Sequence, residues 1–156
     1  MRVVILLVLI IAGCTAAPRG TLLRTNRPYD FAIDGEGYFI VETGHGGYLF
    51  TRRGDFFIDT NRYVVTADGY RLAPPLQIPQ DAGEMRVALD GRVVSITSAG
   101  RGAEPVGRIR VATFAKPDAL DRDGTYFIPT AGSGDPVTRE PGSGGAGTIK
   151  TGFLEK

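Results

Sequence analysis

The chain has 156 residues, with 18 Lys and Arg, 17 Asp and Glu, a single histidine, a single cysteine and no tryptophan. A formal charge of +1 argues against a nucleic-acid partner, which a basic excess usually accompanies. One cysteine excludes an intramolecular disulfide, and 22 glycines with 10 prolines indicate many turns rather than disorder.

The first thirteen residues read as a secretory signal. Arg2 is a minimal basic region, Val3 to Ile11 is unbroken aliphatic, and Ile11-Ala12-Gly13 closes the run with small residues before Cys14. The run is too short to span a bilayer, which takes ~20 apolar residues, and the pattern is that of a cleaved leader. The ending Ile11-Ala12-Gly13-Cys14 resembles the bacterial lipobox, which implies that Cys14 is acylated and becomes the first mature residue. Thr15 after the cysteine, where inner-membrane retention calls for Asp, implies the outer membrane. A mature lipoprotein carries enough acyl chains for stable anchoring, whereas one chain holds only marginally. Loss of residues 1–13 removes Arg2 and leaves 17 basic and 17 acidic residues. The remaining ~140 residues make one domain, able to bury ~68–70% of its unfolded surface.

Residues 14–28 read as the lipidated end and a tether without apolar period. From Thr15 to Arg27 it reaches about 45 Å at ~3.3–3.6 Å per residue. Pro28 then sets an extended entry. Between Tyr29 and Pro75 come short aromatic or branched runs: Phe31-Ala32-Ile33, Tyr38 to Val41, Tyr48-Leu49-Phe50, Phe56-Phe57-Ile58, Tyr63-Val64-Val65 and Tyr70-Arg71-Leu72. Glycines and Asp68-Gly69 punctuate them, the pattern of a meander of short antiparallel strands. Gly44-His45-Gly46-Gly47 reads as a hairpin tip, with His45 as an exposed tip residue that has no catalytic partner.

Leu76 to Pro79 reads as a short strand stopped by proline. Met85–Leu89 and Val93–Thr97 read as a hairpin about Asp90-Gly91, a type I′ candidate, with Val87 and Leu89 across from Val94 and Ile96. Gly100 to Pro105 reads as a loop and Val106 to Phe114 as one strand. Pro117 with Asp118 suggests a helical turn ending near Leu120. Asp121-Arg122-Asp123-Gly124 reads as a turn. It is not a calcium loop, because position 132 is Gly where a bidentate Glu is needed. Pro141 to Gly147 reads as mobile, and it lacks the Gly-Lys-Ser/Thr ending of a phosphate loop.

Three elements in order resemble the core signature of the flagellar basal-body rod and hook protein family: Asp34-Gly35-x-Gly37-Tyr38-Phe39, Tyr48-x-x-Thr51-Arg52-x-Gly54-x-Phe56-x-x-Asp59, and Thr66-x-Asp68-Gly69-Tyr70-x-Leu72. Further matches are Asp90-Gly91-Arg92-Val93-Val94, Phe114 to Leu120, Thr130 to Pro136, and a closing strand with Gly152, Leu154 and Glu155. The resemblance implies a mainly β fold: an antiparallel short-strand meander, sandwich or barrel-like domain over 29–156, with at most one helical turn near Pro117–Leu120. It implies structural roles for Gly35, Gly37, Phe39, Thr51, Arg52, Gly54, Phe56, Asp59, Asp68, Gly69, Tyr70, Gly152, Leu154 and Glu155. The family most often has glycine where this sequence has Arg62, which leaves that turn type open. The family places the Thr-Arg-x-Gly-x-Phe element inside its β-domain, so Arg53-Gly54-Asp55 is not read as an adhesive tripeptide. Rod and hook proteins also carry terminal helices that drive polymerisation. No stretch of ~12 residues here has a 3.5 or 3.6 apolar period, so the expectation is a lipid-tethered module without them.

The resemblance implies rod, hook or ring proteins as partners, a membrane reached through the lipid anchor, no cofactor or metal, and no small-molecule substrate. The alternative is an envelope lipoprotein reusing the domain as a chaperone or cell-wall contact outside the flagellum. A glycan-cleaving enzyme needs a carboxylate pair, and nothing in the sequence selects one from Asp30, Asp34, Glu36, Asp55 and Asp59, which sit mostly at turns.

Overall fold

The computed structural model describes residues 20–100 and 102–156. The strands are β1 (Leu22–Arg24), β2 (Phe31–Asp34), β3 (Tyr38–Glu42), β4 (Tyr48–Thr51), β5 (Phe57–Ile58), β6 (Val64–Val65), β7 (Arg71–Leu72) and β8 (Ala82–Val87). They continue with β9 (Arg92–Thr97), β10 (Ala103–Arg108), β11 (Val111–Thr113), β12 (Asp121–Asp123), β13 (Tyr126–Ile128), β14 (Val137–Arg139), β15 (Thr148–Thr151) and β16 (Phe153–Glu155). All their ladders are antiparallel. A single 3-10 turn at Pro117–Ala119 is the only helical element among the described residues. The sheets do not close into a barrel.

The largest sheet is organised around β3. It pairs with β4 along one edge and shares the other between β11, at Tyr38 and Phe39, and β7, at Val41 and Glu42. Both faces are covered as well, so Tyr38 to Val41 are all buried, and a doubly covered strand needs an unbroken apolar run rather than alternation. Phe39 and Val41 face the larger core with Phe31, Phe56, Leu72 and Ile109. Tyr38 and Ile40 face a smaller cluster with Phe50, Ala112 and Phe114. The rings of Phe39 and Phe56 meet edge to face at 5.3 Å, and those of Phe50 and Phe114 at 5.0 Å. A separate sheet, in the order β10-β9-β8, lays Met85, Val87, Val93 and Val106 on the larger core.

Several expectations are revised. Leu22–Arg24, inside the stretch read as tether, forms β1 on β16, because the closing strand offers it a free edge. Leu76 and Ile78 are buried but not in a strand; Gln77 makes only an isolated bridge to Tyr63. The segment Val106 to Phe114 is split between two sheets. Its apolar spacing of three between Val106 and Ile109 already breaks the two-residue period, and the chain changes sheets at Ile109, which is fully buried. The supposed loop before it contributes Ala103 to Pro105 to β10. Val87 pairs with Val93 on the inner face, while Val94 faces out opposite Arg86. The hairpin between them carries one extra loop residue, which shifts the register by one and exchanges faces; Leu89 is left exposed at the tip. Asp121–Asp123 is a strand on β13, with the turn displaced to Gly124-Thr125. The Pro141–Gly147 segment is tied down rather than mobile: Gly142 donates to the Gly147 carbonyl, and the Gly147 amide to the Glu36 carbonyl at 2.7 Å.

Candidate functional site

Of the predicted signature residues, Gly35, Gly37 and Glu155 come together around Arg52 at one end of the domain. Arg52 follows β4 directly, beside the turn that joins β2 to β3. Its five guanidinium hydrogens are all used. Nε donates to Glu155 at 2.6 Å and Nη2 to the other Glu155 oxygen at 2.8 Å. Nη1 donates to the carbonyls of Gly35 and Gly37, and Nη2 also to that of Ile33. The planar fork suits a carboxylate on one side and carbonyls on the other, a task a lysine cannot perform. Glu155 turns its Oε1 also to the Gly20 amide at 2.8 Å, so the first and last described strands are clasped to the β2–β3 turn.

The glycines permit close backbone approach. A Cβ at Gly54 would lie 1.6 Å from the Phe31 carbonyl oxygen, and one at Gly35 2.7 Å from the Gly147 Cα. Gly54 is therefore buried in the fold, and Arg53 beside it pairs with Asp55 at 2.5 Å; the Arg-Gly-Asp triplet is spent internally. Phe39 and Phe56 are core, and the Thr51 hydroxyl donates to the Thr125 carbonyl. Gly37 is buried against Val111, and Leu154 pairs with Leu23 in the β1–β16 ribbon. The Gly152 carbonyl, in the turn between β15 and β16, accepts from Thr25 and Asn26.

Asp59, Asp68, Gly69 and Tyr70 belong to hairpin turns elsewhere on the sheet. Asp59 accepts from the Tyr63 amide, and Asp68 from the Tyr126 hydroxyl at 2.6 Å. Burial, then that bond to a carboxylate, pushes the Tyr126 hydroxyl up to about 12. Tyr70 packs edge-on against Tyr126 at 5.5 Å. Asp30 departs from the expectation of a solvated turn acid: it is 1% exposed and its ionic partner is Arg27 at 3.8 Å. Asp34 pairs with Lys150 at 2.7 Å. Cys14 lies outside the described residues.

Beside the clasp opens a cleft of about 660 Å³ lined by Tyr38, Arg52, Pro117, Arg122, Phe127 and Lys156, among others. Burial raises the Tyr38 hydroxyl above its ordinary value, so it stays a neutral donor. Arg122 stacks over the Phe127 ring at 4.7 Å. Sequence reasoning missed the Gly20 contact, Arg122 and Phe127, which only the fold brings to this end. It also left Arg62 unexplained: its backbone is left-handed, φ +66°, and its guanidinium donates to the carbonyls of Ile78 and Pro79, each at 2.8 Å. The signal was a long polar side chain where a turn calls for glycine.

Among the described residues, no group of three or more His, Cys, Asp or Glu could hold a metal. The polar side chains placed so far mostly bind the chain to itself, which defines a structural β-module. Comparison with known proteins gives the particular family. Residues 32–95 match the model of the flagellar hook protein FlgE/F/G D1 domain. The chain is 38% identical over 137 residues to the flagellar basal-body rod protein FlgG of Bacillus subtilis, covering 84% of this chain and 51% of that protein. It is 33% identical over 140 residues to FlgG of Borreliella burgdorferi, covering 88% and 53%. It is 28% identical over 141 residues to the rod protein FlgF of Mesorhizobium japonicum, covering 88% and 54%. The chain belongs to the flagellar basal-body rod and hook protein family, and it spans about half the length of the curated relatives it matches.

Proposed function

We propose that this chain is a structural, non-enzymatic lipoprotein of the bacterial flagellar basal body. Cys14 carries the lipid and holds the β-domain at the periplasmic face of the outer membrane. There the domain docks on a rod, hook-base or ring protein and supports motility. It uses no cofactor and no small-molecule substrate.

The observation that supports this reading best is the coincidence of the rod-protein likeness with the clasp. The relatives align over nearly all the described residues, and the signature arginine is saturated by internal partners. A guanidinium with no free donor is framework for a binding surface rather than a reagent.

The test is localisation of a fluorescent fusion in cells with and without the rod, with pull-down of rod and ring proteins alongside. Foci at flagellar bases that vanish in the rodless strain are expected. Even distribution in both strains, with unaltered motility on deletion, would overturn the reading.

A further inference from the structure

We infer that the end of the domain carrying the Arg52 clasp and its cleft faces the lipid surface, and that the β3–β4 hairpin tip faces away. The inference rests on the lipid-anchor reading of Cys14 and adds an orientation to it.

Three observations carry it. First, the folded body already includes Gly20, well before Tyr29. The Gly20 amide is held by Glu155, β1 pairs with β16 from Leu22 to Arg24, and the Lys156 amide donates to the Thr21 carbonyl at 2.9 Å. Gly20 follows Cys14 by six residue steps, which reach at most about 20 Å at ~3.3–3.6 Å each, less than half the tether expected from sequence.

Second, the attachment point is on the cleft. Gly20 and Lys156 both line it, with Thr125 and Arg122. A compact domain of this size has a radius of gyration of about 14 Å and a diameter of about 37 Å. Turning the opposite end to the bilayer would take the leash halfway round, about 60 Å by the same estimate. The available 20 Å does not suffice.

Third, β3 starts at the cleft, with Tyr38, and ends at Glu42 beside the Thr43–Gly47 turn. The tip residues Gly44 to Gly46 therefore lie at least ~13 Å further out at ~3.3 Å per strand residue. They, with the exposed Tyr48 beside them, are accessible to a protein partner while the cleft is not.

The charges at the cleft set how the surface is met. Arg122 and Lys156 are offset by Glu36 and Asp118, Arg52 by Glu155, and Arg53 by Asp55 just outside the lining. With no net charge at that end, contact is imposed by the anchor and not by attraction to anionic lipid, which would weaken with salt.

The native sequence has no cysteine besides Cys14, so an introduced thiol is the only one left once Cys14 is acylated. Acylated Thr125→Cys and His45→Cys chains would be labelled with a fluorophore and reconstituted into vesicles containing a headgroup-quencher lipid. Strong loss of fluorescence at position 125 and little at 45 is expected, unchanged by added salt. A flexible thirty-residue insert between Arg19 and Gly20 should abolish the difference. Equal quenching at both positions in acylated protein would overturn the orientation and leave the anchor standing. A mass spectrum showing unmodified Cys14 after expression in a bacterium with the lipidation pathway would instead overturn the anchor, and the orientation with it.

Discussion

The β3-centred sheet and the three-stranded β8–β10 sheet use the same hairpin turn and hold it by different means. Four hairpins share a three-residue loop with a left-handed third position. They are Thr43–Gly47, Asp59–Tyr63, Thr66–Tyr70 and Ala88–Arg92, with Gly46, Arg62, Gly69 and Gly91 at that position. This is a type I turn closed by a bulge. In the three that belong to the main sheet the first residue's side chain receives the last residue's amide: Thr43 from Gly47, Asp59 from Tyr63 and Thr66 from Tyr70. In the fourth, Ala88 has no oxygen to offer, and Asp90 accepts from Arg92 instead. The same division runs through the rest. Both sheets have backbone ladders, but the main sheet adds an enclosed arginine, whereas the side-chain pairs on the smaller one, such as Arg86–Glu84 and Arg92–Asp90, are exposed. The contrast predicts that substitutions at the exposed positions of the smaller sheet cost less than those around the clasp.

The largest effect that would test this contrast is at Gly54. A methyl group there meets the Phe31 carbonyl at 1.6 Å, and Phe31 is itself locked between the Gly54 carbonyl and Thr151 of β15. Gly54→Ala should cost about 4 kcal/mol or more, or prevent folding. Gly100→Ala, in the β9–β10 loop with φ +67° and open space around it, should cost about 1–2 kcal/mol from the left-handed backbone alone. Urea melts compare them, and equal costs would break the division.

Next comes the clasp. Arg52→Lys keeps the charge and loses the fork, leaving carbonyls of the β2–β3 turn and one Glu155 oxygen unpaired. With Arg52 and Glu155 only 20% and 12% exposed, a loss of about 2–4 kcal/mol is expected. Arg108→Lys in the smaller sheet, where Arg108 meets Glu140 near the surface, should cost less than about 1 kcal/mol. Thermal melts of the two variants should separate clearly; coincident melts would show that the clasp adds nothing.

Local composition was enough to read the early strands of the main sheet from sequence, but not β11, β12 or β14 of that sheet, nor the smaller sheet. In β3 and β4 the apolar runs and their glycine breaks state both strand and turn. Which strands become neighbours is set by distant segments: β3 meets β11 and β7, and Glu155 meets Arg52 across 103 residues. Only the family resemblance singled out Arg52 and Glu155 beforehand, and it gave no geometry. In β8–β10 the alternation was real but its face depended on a single loop residue. Counting Leu89-Asp90-Gly91 as the loop, rather than Asp90-Gly91, moves Val94 from inside to outside. Short, half-exposed strands carry too few apolar residues to correct such a slip.

Arg62 tests whether a departure from the turn's preferred residue is offset by what the side chain does. Arg62→Ala keeps the left-handed strain and removes two hydrogen bonds to the carbonyls of Ile78 and Pro79, an expected loss of about 1–2 kcal/mol. Arg62→Gly removes the same bonds and relieves the backbone, and should recover about 1 kcal/mol of that loss. The expected order of stability in urea is native, then Gly, then Ala. A Gly variant more stable than the native chain would show that the guanidinium contributes nothing to this turn.

The smallest effect lies in the fourth turn, and its pH dependence identifies its origin. The Arg92 backbone amide, aided by the Arg92 and Arg108 charges, holds the Asp90 carboxyl below its ordinary value. A depressed folded value means stability that is present above the unfolded value, about 3.9, and is lost as the pH falls through the folded one. Asp90→Ala should therefore melt slightly below the native chain at neutral pH, and the gap should close as the pH falls through the depressed folded value and the native carboxyl is protonated. Adding Ala88→Thr supplies the hydroxyl that Thr43 and Thr66 provide in the main sheet, and should restore the neutral-pH melt without the acid dependence. A gap that persists undiminished in acid would mean that Asp90 acts through packing rather than charge. The two sheets would then differ in which side chain fills the turn, and not in how the turn is held.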